Sequence, residues 1–233
     1  MIDFHSHILP NIDDGSRSVE ESLLLHEMLS QQGIQRVAAT PHYFPSRESV
    51  SDFLGRREKS FSELQQAAEN KNLPKIHVGA EVSYYEGISK LKDIPLLCFN
   101  DSNLLLVEMP MAKWSDYAFH EIMELTCIPK TKLVLAHVER YRSYQNEQVW
   151  QQLLENDILM QVNASYFLQF GSKRKALSQL QKNEIHFLGS DCHDLKVRPP
   201  KIGLAYQVVA QKFGNEFLSS WLEFCNSFFN HPI

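Results

Sequence analysis

Seven short apolar runs, near 2–7, 35–40, 75–81, 103–109, 132–137, 158–164 and 185–191, alternate along the chain with stretches of helical periodicity. Runs of this length read as buried strands, and a helix between successive strands makes them parallel. The pattern predicts an α/β fold of seven β/α units closed into a TIM-like barrel, with any active site at the C-terminal ends of the strands. Helices are expected near 18–32, 48–71, 116–126, 145–156, 172–182 and 203–213. Ser18 opens a capping box with Glu21, and Gly33 ends that first helix.

A chain of 233 residues suits one domain, 1–233, because single α/β barrels often run to about this length. The formal net charge of -5 argues against a nucleic-acid partner, which calls for a basic surface. The start, Met1-Ile2-Asp3-Phe4-His5, lacks a basic and apolar leader, and no apolar run approaches the roughly 20 residues of a membrane span. A cytoplasmic protein without membrane insertion is expected. Cys98, Cys127, Cys192 and Cys225 show no paired spacing and are read as reduced thiols. Asn163-Ala164-Ser165 matches a glycosylation sequon but is read as the end of a strand. From Asn215 to Asn230, Phe217, Trp221, Cys225 and Phe228 share one helical face, which is expected to cover the barrel core.

Histidine and carboxylate residues gather where the strands end. His5 and His7 close the first run and, two apart on extended backbone, point the same way. Asp14 follows in Asp13-Asp14-Gly15, His42 in Thr40-Pro41-His42, and Glu81 in Gly79-Ala80-Glu81. Glu108, His137, Asp191 and His193 terminate the later runs. This mixed set is too large for one cation, so it implies a cluster of metals and hydrolytic chemistry at one mouth of the barrel. His26, His77, His120, His186 and His231 fall elsewhere and are given structural or surface roles.

The segments Asp3-Phe4-His5-Ser6-His7-Ile8-Leu9-Pro10, Thr40-Pro41-His42, Gly79-Ala80-Glu81, Ala136-His137-Val138-Glu139-Arg140-Tyr141 and Ser190-Asp191-Cys192-His193, with Arg198-Pro199-Pro200 beyond, resemble the PHP (polymerase and histidinol phosphatase) superfamily. More narrowly the chain is similar to bacterial manganese-dependent tyrosine-protein phosphatases of the CpsB/YwqE type, which accompany capsular or exopolysaccharide synthesis. The resemblance covers residues 1 to about 210. It implies a distorted (β/α)7 barrel, the PHP fold, and three divalent metal ions, Mn²⁺ before Fe, Zn²⁺ or Mg²⁺. His5, His7, Glu81 and Asp191 would hold the first ion, Glu81, Glu108 and His137 the second, and Asp14, His42 and His193 the third. A metal-bridging hydroxide would attack phosphotyrosine in a protein substrate, the tail of a bacterial tyrosine autokinase.

Arg140 and Arg198 lie close to ligands in sequence and are expected to fork onto phosphoryl oxygens, as the matching arginines of the family do. Tyr43, Phe44, Tyr84, Tyr85, Tyr166 and Phe167 follow strand ends, where each either stacks on a phosphotyrosine ring or packs a loop. Cys192 and Arg198 spell Cys-x5-Arg, the spacing of cysteine-dependent tyrosine phosphatases. The intervening residues contain no glycine, two prolines follow, and strand alternation turns Cys192 from the face of Asp191 and His193, so a covalent cysteine route is rejected. Competing readings are a histidinol-phosphatase-like phosphomonoesterase, a nuclease of the superfamily, and a non-catalytic phosphotyrosine-binding scaffold. Missing ligands would favour the scaffold, and none is missing.

Overall fold

The computed structural model describes residues 1–100 and 102–229, so Asn230 and His231 lie outside the described residues. It has a mixed α/β fold built on a curled sheet whose strand pairs are all parallel. The strands are β1 (Ile2–Ser6), β2 (Arg36–Ala39), β3 (His42–Tyr43), β4 (Lys75–Val78), β5 (Glu81–Ser83), β6 (Leu104–Glu108), β7 (Lys132–Leu135), β8 (Leu159–Asn163) and β9 (Phe187–Gly189). One sheet runs in the order β1-β2-β4 and the other β3-β5-β6-β7-β8-β9.

Nine strands stand against seven apolar runs because the run 75–81 is broken in two and a two-residue strand follows the run 35–40. β2 and β3 are separated by Thr40-Pro41, and β4 and β5 by Gly79-Ala80. The register does not slip across the break: Arg36 faces Lys75, and His42 faces Glu81. Pro41 has no N–H to offer a ladder, yet its carbonyl still accepts from Glu81 N at 3.0 Å. The far edges of the two sheets meet at a Ser6–Cys192 bridge, reinforced by His7 N donating to Cys192 O at 2.9 Å.

The helices are α1 (Val19–Gln31), α2 (Val50–Ala67), α3 (Asp116–Leu125), α4 (Glu147–Glu155), α5 (Ala164–Leu168), α6 (Lys173–Gln181), α7 (Ile202–Phe213) and α8 (Asn215–Ser227). Ser18 caps α1 by accepting from Glu21 N. The Glu21 carboxylate accepts from Arg17 N rather than from Ser18, so the capping box is only half formed. The five-residue α5 is too short to show a period in sequence and was not expected. The tail covers the core as expected: Trp221 and Cys225 of α8 are buried, and Phe229 places its ring 5.2 Å from that of Phe4. Below the site, the core stacks Phe4 on Phe187 at 4.0 Å.

Two glycines let the backbone close in around the first histidines. A Cβ on Gly189 would stand 2.5 Å from His5 Cβ, and one on Gly15 would stand 2.3 Å from His7 O. No side chain fits at either place.

Candidate metal centre

All nine residues singled out at strand ends come to one mouth of the sheet. β1 presents His5 with His7 just after it, and their Nε2 atoms lie 3.1 Å apart. Glu81, at the start of β5, stands between them and the far strands. Its Oε2 is 3.2 Å from His5 Nε2, 3.3 Å from His7 Nε2 and 3.1 Å from His42 Nδ1, while its Oε1 is 2.8 Å from His137 Nε2. Glu108 approaches the same His137 nitrogen at 3.3 Å. Asp191 Oδ1 lies 3.5 Å from His7 and 3.7 Å from His193. Asp14 Oδ1 faces His42 and His193 at 3.6 and 3.5 Å.

Three overlapping sets have donor atoms close enough to share an ion: His5, His7 and Glu81; His42, Glu81 and Glu108; and His7, Asp14, His42 and His193. Depth differs among them. Glu81 and Asp191 are buried, whereas the Asp14 side chain is 66% exposed and places the last set at the rim.

Hydrogen bonds fix which nitrogen each imidazole offers. Nδ1 of His5 meets the Gln161 amide oxygen at 3.1 Å, Nδ1 of His7 meets Asp13 at 2.7 Å, and Nδ1 of His193 meets the Asp191 carbonyl at 3.0 Å. Each partner is an acceptor for Nδ1, which leaves Nε2 as the nitrogen turned inward, the one a metal would take. His193 Nε2 and His42 Nδ1 are buried without a hydrogen-bond partner. The donor set and these orphaned nitrogens fit divalent cations.

The electrostatics point the same way. Burial alone would raise Glu81, but the adjacent His5, with His137 and His7, holds its carboxyl well below the usual range. Asp191 is likewise lowered, against burial, chiefly by His5 and His7. Burial opposes a charged His137, yet Glu108 and Glu81 lift it to about 9, while burial and His7 push His193 down to about 4. Anionic carboxylates thus hold positive charge among the imidazoles, and a cation entering there displaces protons. His137 and Asp191 also adopt left-handed backbone, with φ of 30° and 52°. Glycine would relieve that strain but would leave no side chain to reach inward.

The supporting layer was missed in sequence. Asp13 accepts from His7 and also from His42 N and Gly15 N, so one buried carboxylate ties β1, β3 and the Asp14 loop together. β8 carries no candidate ligand. Instead Gln161 Oε1 accepts from His5 Nδ1 and from His137 N at 2.7 Å, and its Nε2 donates to Asn163, whose Nδ2 donates to Asp191 at 2.7 Å. The available signal was an alternating polar pair inside an apolar strand. Gln161→Leu should weaken Mn²⁺ binding about 10- to 100-fold while Gln161→Glu retains it, as measured by equilibrium metal titration. Unchanged affinity in Gln161→Leu would remove Gln161 from the centre.

Arg140 and Arg198 also arrive here: Arg140 donates to Asp191 Oδ2, and Arg198 Nη2 forms an ion pair with the same oxygen at 2.8 Å. Cys192 is buried, and burial followed by the nearby Asp3 pushes its thiol up to about 12. The amides that a cysteine-dependent phosphatase would turn towards phosphate are already occupied: Lys196 N, Val197 N and Arg198 N all donate to Asp194. Asn163 is buried, which suits a strand end and not a glycosylation site.

Among the aromatics, Tyr43, Tyr166 and Phe167 are buried in the core and Tyr84 donates to Glu121. Tyr85 packs against the core, and Phe44 stacks on His42 at 5.1 Å. His26 meets the Pro74 carbonyl, His186 accepts from Met160 N, His77 packs on Phe229, and His120 is exposed beside Glu124. The described cysteines are all free. No helix among the described residues is long and apolar enough to cross a membrane.

Residues 1–227 match the family model described as capsular polysaccharide synthesis, CpsB/CapC. The chain is 34% identical over 233 residues to tyrosine-protein phosphatase CpsB of Streptococcus agalactiae, with 93% of this chain and 92% of that protein covered. It is similar over its whole length to a solved structure from work on YwqE of Bacillus subtilis and CpsB of Streptococcus pneumoniae, described as unique metal-dependent tyrosine phosphatases. The TM-score is 0.85 at 25% identity, covering 96% of that chain. The fold also matches histidinol phosphate phosphatase of Lactococcus lactis, with TM-score 0.56 at 13% identity, 91% of this chain and 93% of that one. With a family match that runs from the first candidate ligand beyond the last, this chain belongs to the CpsB/CapC family of capsular polysaccharide synthesis.

Proposed function

We propose that this chain is a metal-dependent protein-tyrosine phosphatase. The observation that carries the reading is the convergence of nine imidazole and carboxylate side chains with two arginines at one mouth, in a chain similar along its length to named tyrosine phosphatases. The substrate is phosphotyrosine in a protein, specifically the tail of a bacterial tyrosine autokinase of capsular or exopolysaccharide synthesis, met in the cytoplasm. Residues 1–233 act as a single domain. Counting β2-β3 and β4-β5 as interrupted strands, the fold is read as a distorted (β/α)7 barrel.

Three divalent ions, Mn²⁺ by preference, are assigned to His5, His7, Glu81 and Asp191, to Glu81, Glu108 and His137, and to Asp14, His42 and His193. Bound there, such ions supply Lewis acidity that ionises water near neutral pH and offsets phosphoryl charge. The chain does the rest. Asp13, Gln161 and the Asp191 carbonyl hold three imidazoles with Nε2 turned to the cavity. Arg140 and Arg198 are anchored through one donor each on Asp191, leaving their other N–H groups for phosphoryl oxygens as charge shifts towards the leaving phenolate. A phenolate, with a conjugate-acid pKa near ~10, leaves with less help from an acid than an alkoxide does.

The test compares kcat/KM on a phosphotyrosine peptide, histidinol phosphate and an oligonucleotide with Mn²⁺ present. Preference for either of the last two overturns the assignment. Chelation should abolish turnover, and Cys192→Ser should keep it within about threefold, since that buried thiol is far from ionised at neutral pH. The opposite pair of results would restore the covalent route.

A further inference from the structure

The chain carries a formal charge of -5, but its 28 carboxylates are unevenly placed. Residues 164–183 and 195–215 contain eight Lys and Arg and not one Asp or Glu. These two segments hold α5, α6 and α7, and α5 packs against both of the others, so they build one cationic face on an otherwise acidic protein. α5 follows β8 directly and α7 follows β9, which puts the start of that face beside the mouth.

Lys173, Arg174 and Lys175 are exposed in the first turn of α6, where the helix dipole disfavours cations, and no acidic residue shares that turn. None of the three pairs with a carboxylate among the described residues. At about 3.6 residues per turn they fan apart, so they do not close on a single anionic group. Just before them, Phe170 is fully exposed. Its loop is not slack: Lys173 N donates to Gln169 O at 2.9 Å and Ser172 Oγ to Tyr166 O at 2.8 Å, so the backbone holds the ring out in water. On the approach to α7 and in its first turn, Val197 is 84% and Leu204 50% exposed, near the exposed Lys196 and Lys201. Apolar tips set among outward-spread cations mark a contact surface.

We infer that this face docks on the anionic headgroup surface of a phospholipid bilayer, with the Phe170 ring at the headgroup boundary and the α6 cations around it. Charge complementarity selects that occupant: headgroups spread over a plane meet cations that fan apart, and the exposed apolar side chains between them enter the interface. An acidic peptide calls instead for donors that converge on it. The contact is peripheral and reversible. It stands independently of the phosphatase reading, and it holds the mouth beside the bilayer, where a substrate tethered to the same membrane is locally concentrated.

The test is cosedimentation with vesicles of phosphatidylcholine alone or with roughly one third phosphatidylglycerol, so that binding is read without turnover. The protein should partition onto the anionic vesicles about 100-fold more strongly than onto the neutral ones, and 0.5 M salt should release it. The triple variant Lys173→Gln, Arg174→Gln, Lys175→Gln should lower that partition about 30-fold, and Phe170→Ser about fivefold. Neither change reaches the metal centre, so kcat/KM on a soluble phosphotyrosine peptide should stay within about twofold of wild type. A control variant with the same loss of charge on other elements, Lys59→Gln, Lys90→Gln, Lys92→Gln, should keep the partition within about threefold. Equal binding to both kinds of vesicle, or to neither, overturns the inference, as does an equal loss in the control, which would reduce the effect to net charge. Capture of a soluble polyglutamate peptide through the three α6 cations, with vesicles unbound, would assign the face to an acidic polypeptide and overturn it also. Absent turnover with anionic vesicles still bound would sink the phosphatase reading and leave the docking face standing.

Discussion

Glu81→Ala should lower kcat/KM on a phosphotyrosine peptide by about 10³-fold or more, with the loss matched by a drop in bound Mn²⁺. Its two oxygens lie within 3.3 Å of nitrogens on four imidazoles, those of His5, His7, His42 and His137, which come from three separate strand ends. Removing it deletes the anion that these imidazoles surround and a carboxylate that would help to hold two of the proposed ions. Loss of several kcal/mol of charge stabilisation at 1.36 kcal/mol per decade gives the size of the effect. Breaking a buried charge pair also threatens the fold. Glu81→Gln, which keeps volume and one acceptor, is therefore examined beside it, with circular dichroism reporting the fold and elemental analysis the metal. Folded Glu81 variants that retain both full metal content and turnover would remove Glu81 from the centre.

Most of the candidate ligands were legible because they close or closely follow a short apolar run, and parallel strands carry their ends to one side. His5 and His7 needed only the pleat of extended backbone to be placed on one face. His42 and Glu81 were harder to place, since each opens a new strand after an interruption that the apolar pattern conceals. Where two arginines end up is set by Asp191, 51 residues after Arg140, and spacing alone carries no record of that contact. The Gln161–Asn163 pair stayed hidden because a polar residue at every second position of a strand usually marks a solvent face. Here both faces are buried, and the second one serves the metal centre. For the aromatic residues the sequence left stacking and packing open, and burial of Tyr43, Tyr166 and Phe167 favours packing, since a phenyl or phenol ring gains more from the core than from the rim.

Arg140→Met and Arg198→Met should each reduce kcat/KM by about 10²-fold with metal content unchanged, the range found when one preorganised donor to a developing oxyanion is removed. Both side chains remain partly accessible, 30% and 37% exposed, while one donor of each is pinned on Asp191 Oδ2. That anchoring restricts the guanidinium groups, so less entropy is lost when the remaining N–H groups meet phosphoryl oxygens. It also couples them. Either arginine missing frees Asp191 Oδ2 and loosens the other, so the double variant should lose less than the product of the single losses, which a double-mutant cycle reads directly. Lysine at either position restores charge but not the fork, and should recover only part of the rate. Single variants within threefold of wild type would confine both arginines to holding Asp191. Additive losses would mean that each meets substrate independently and that their shared anchor is incidental.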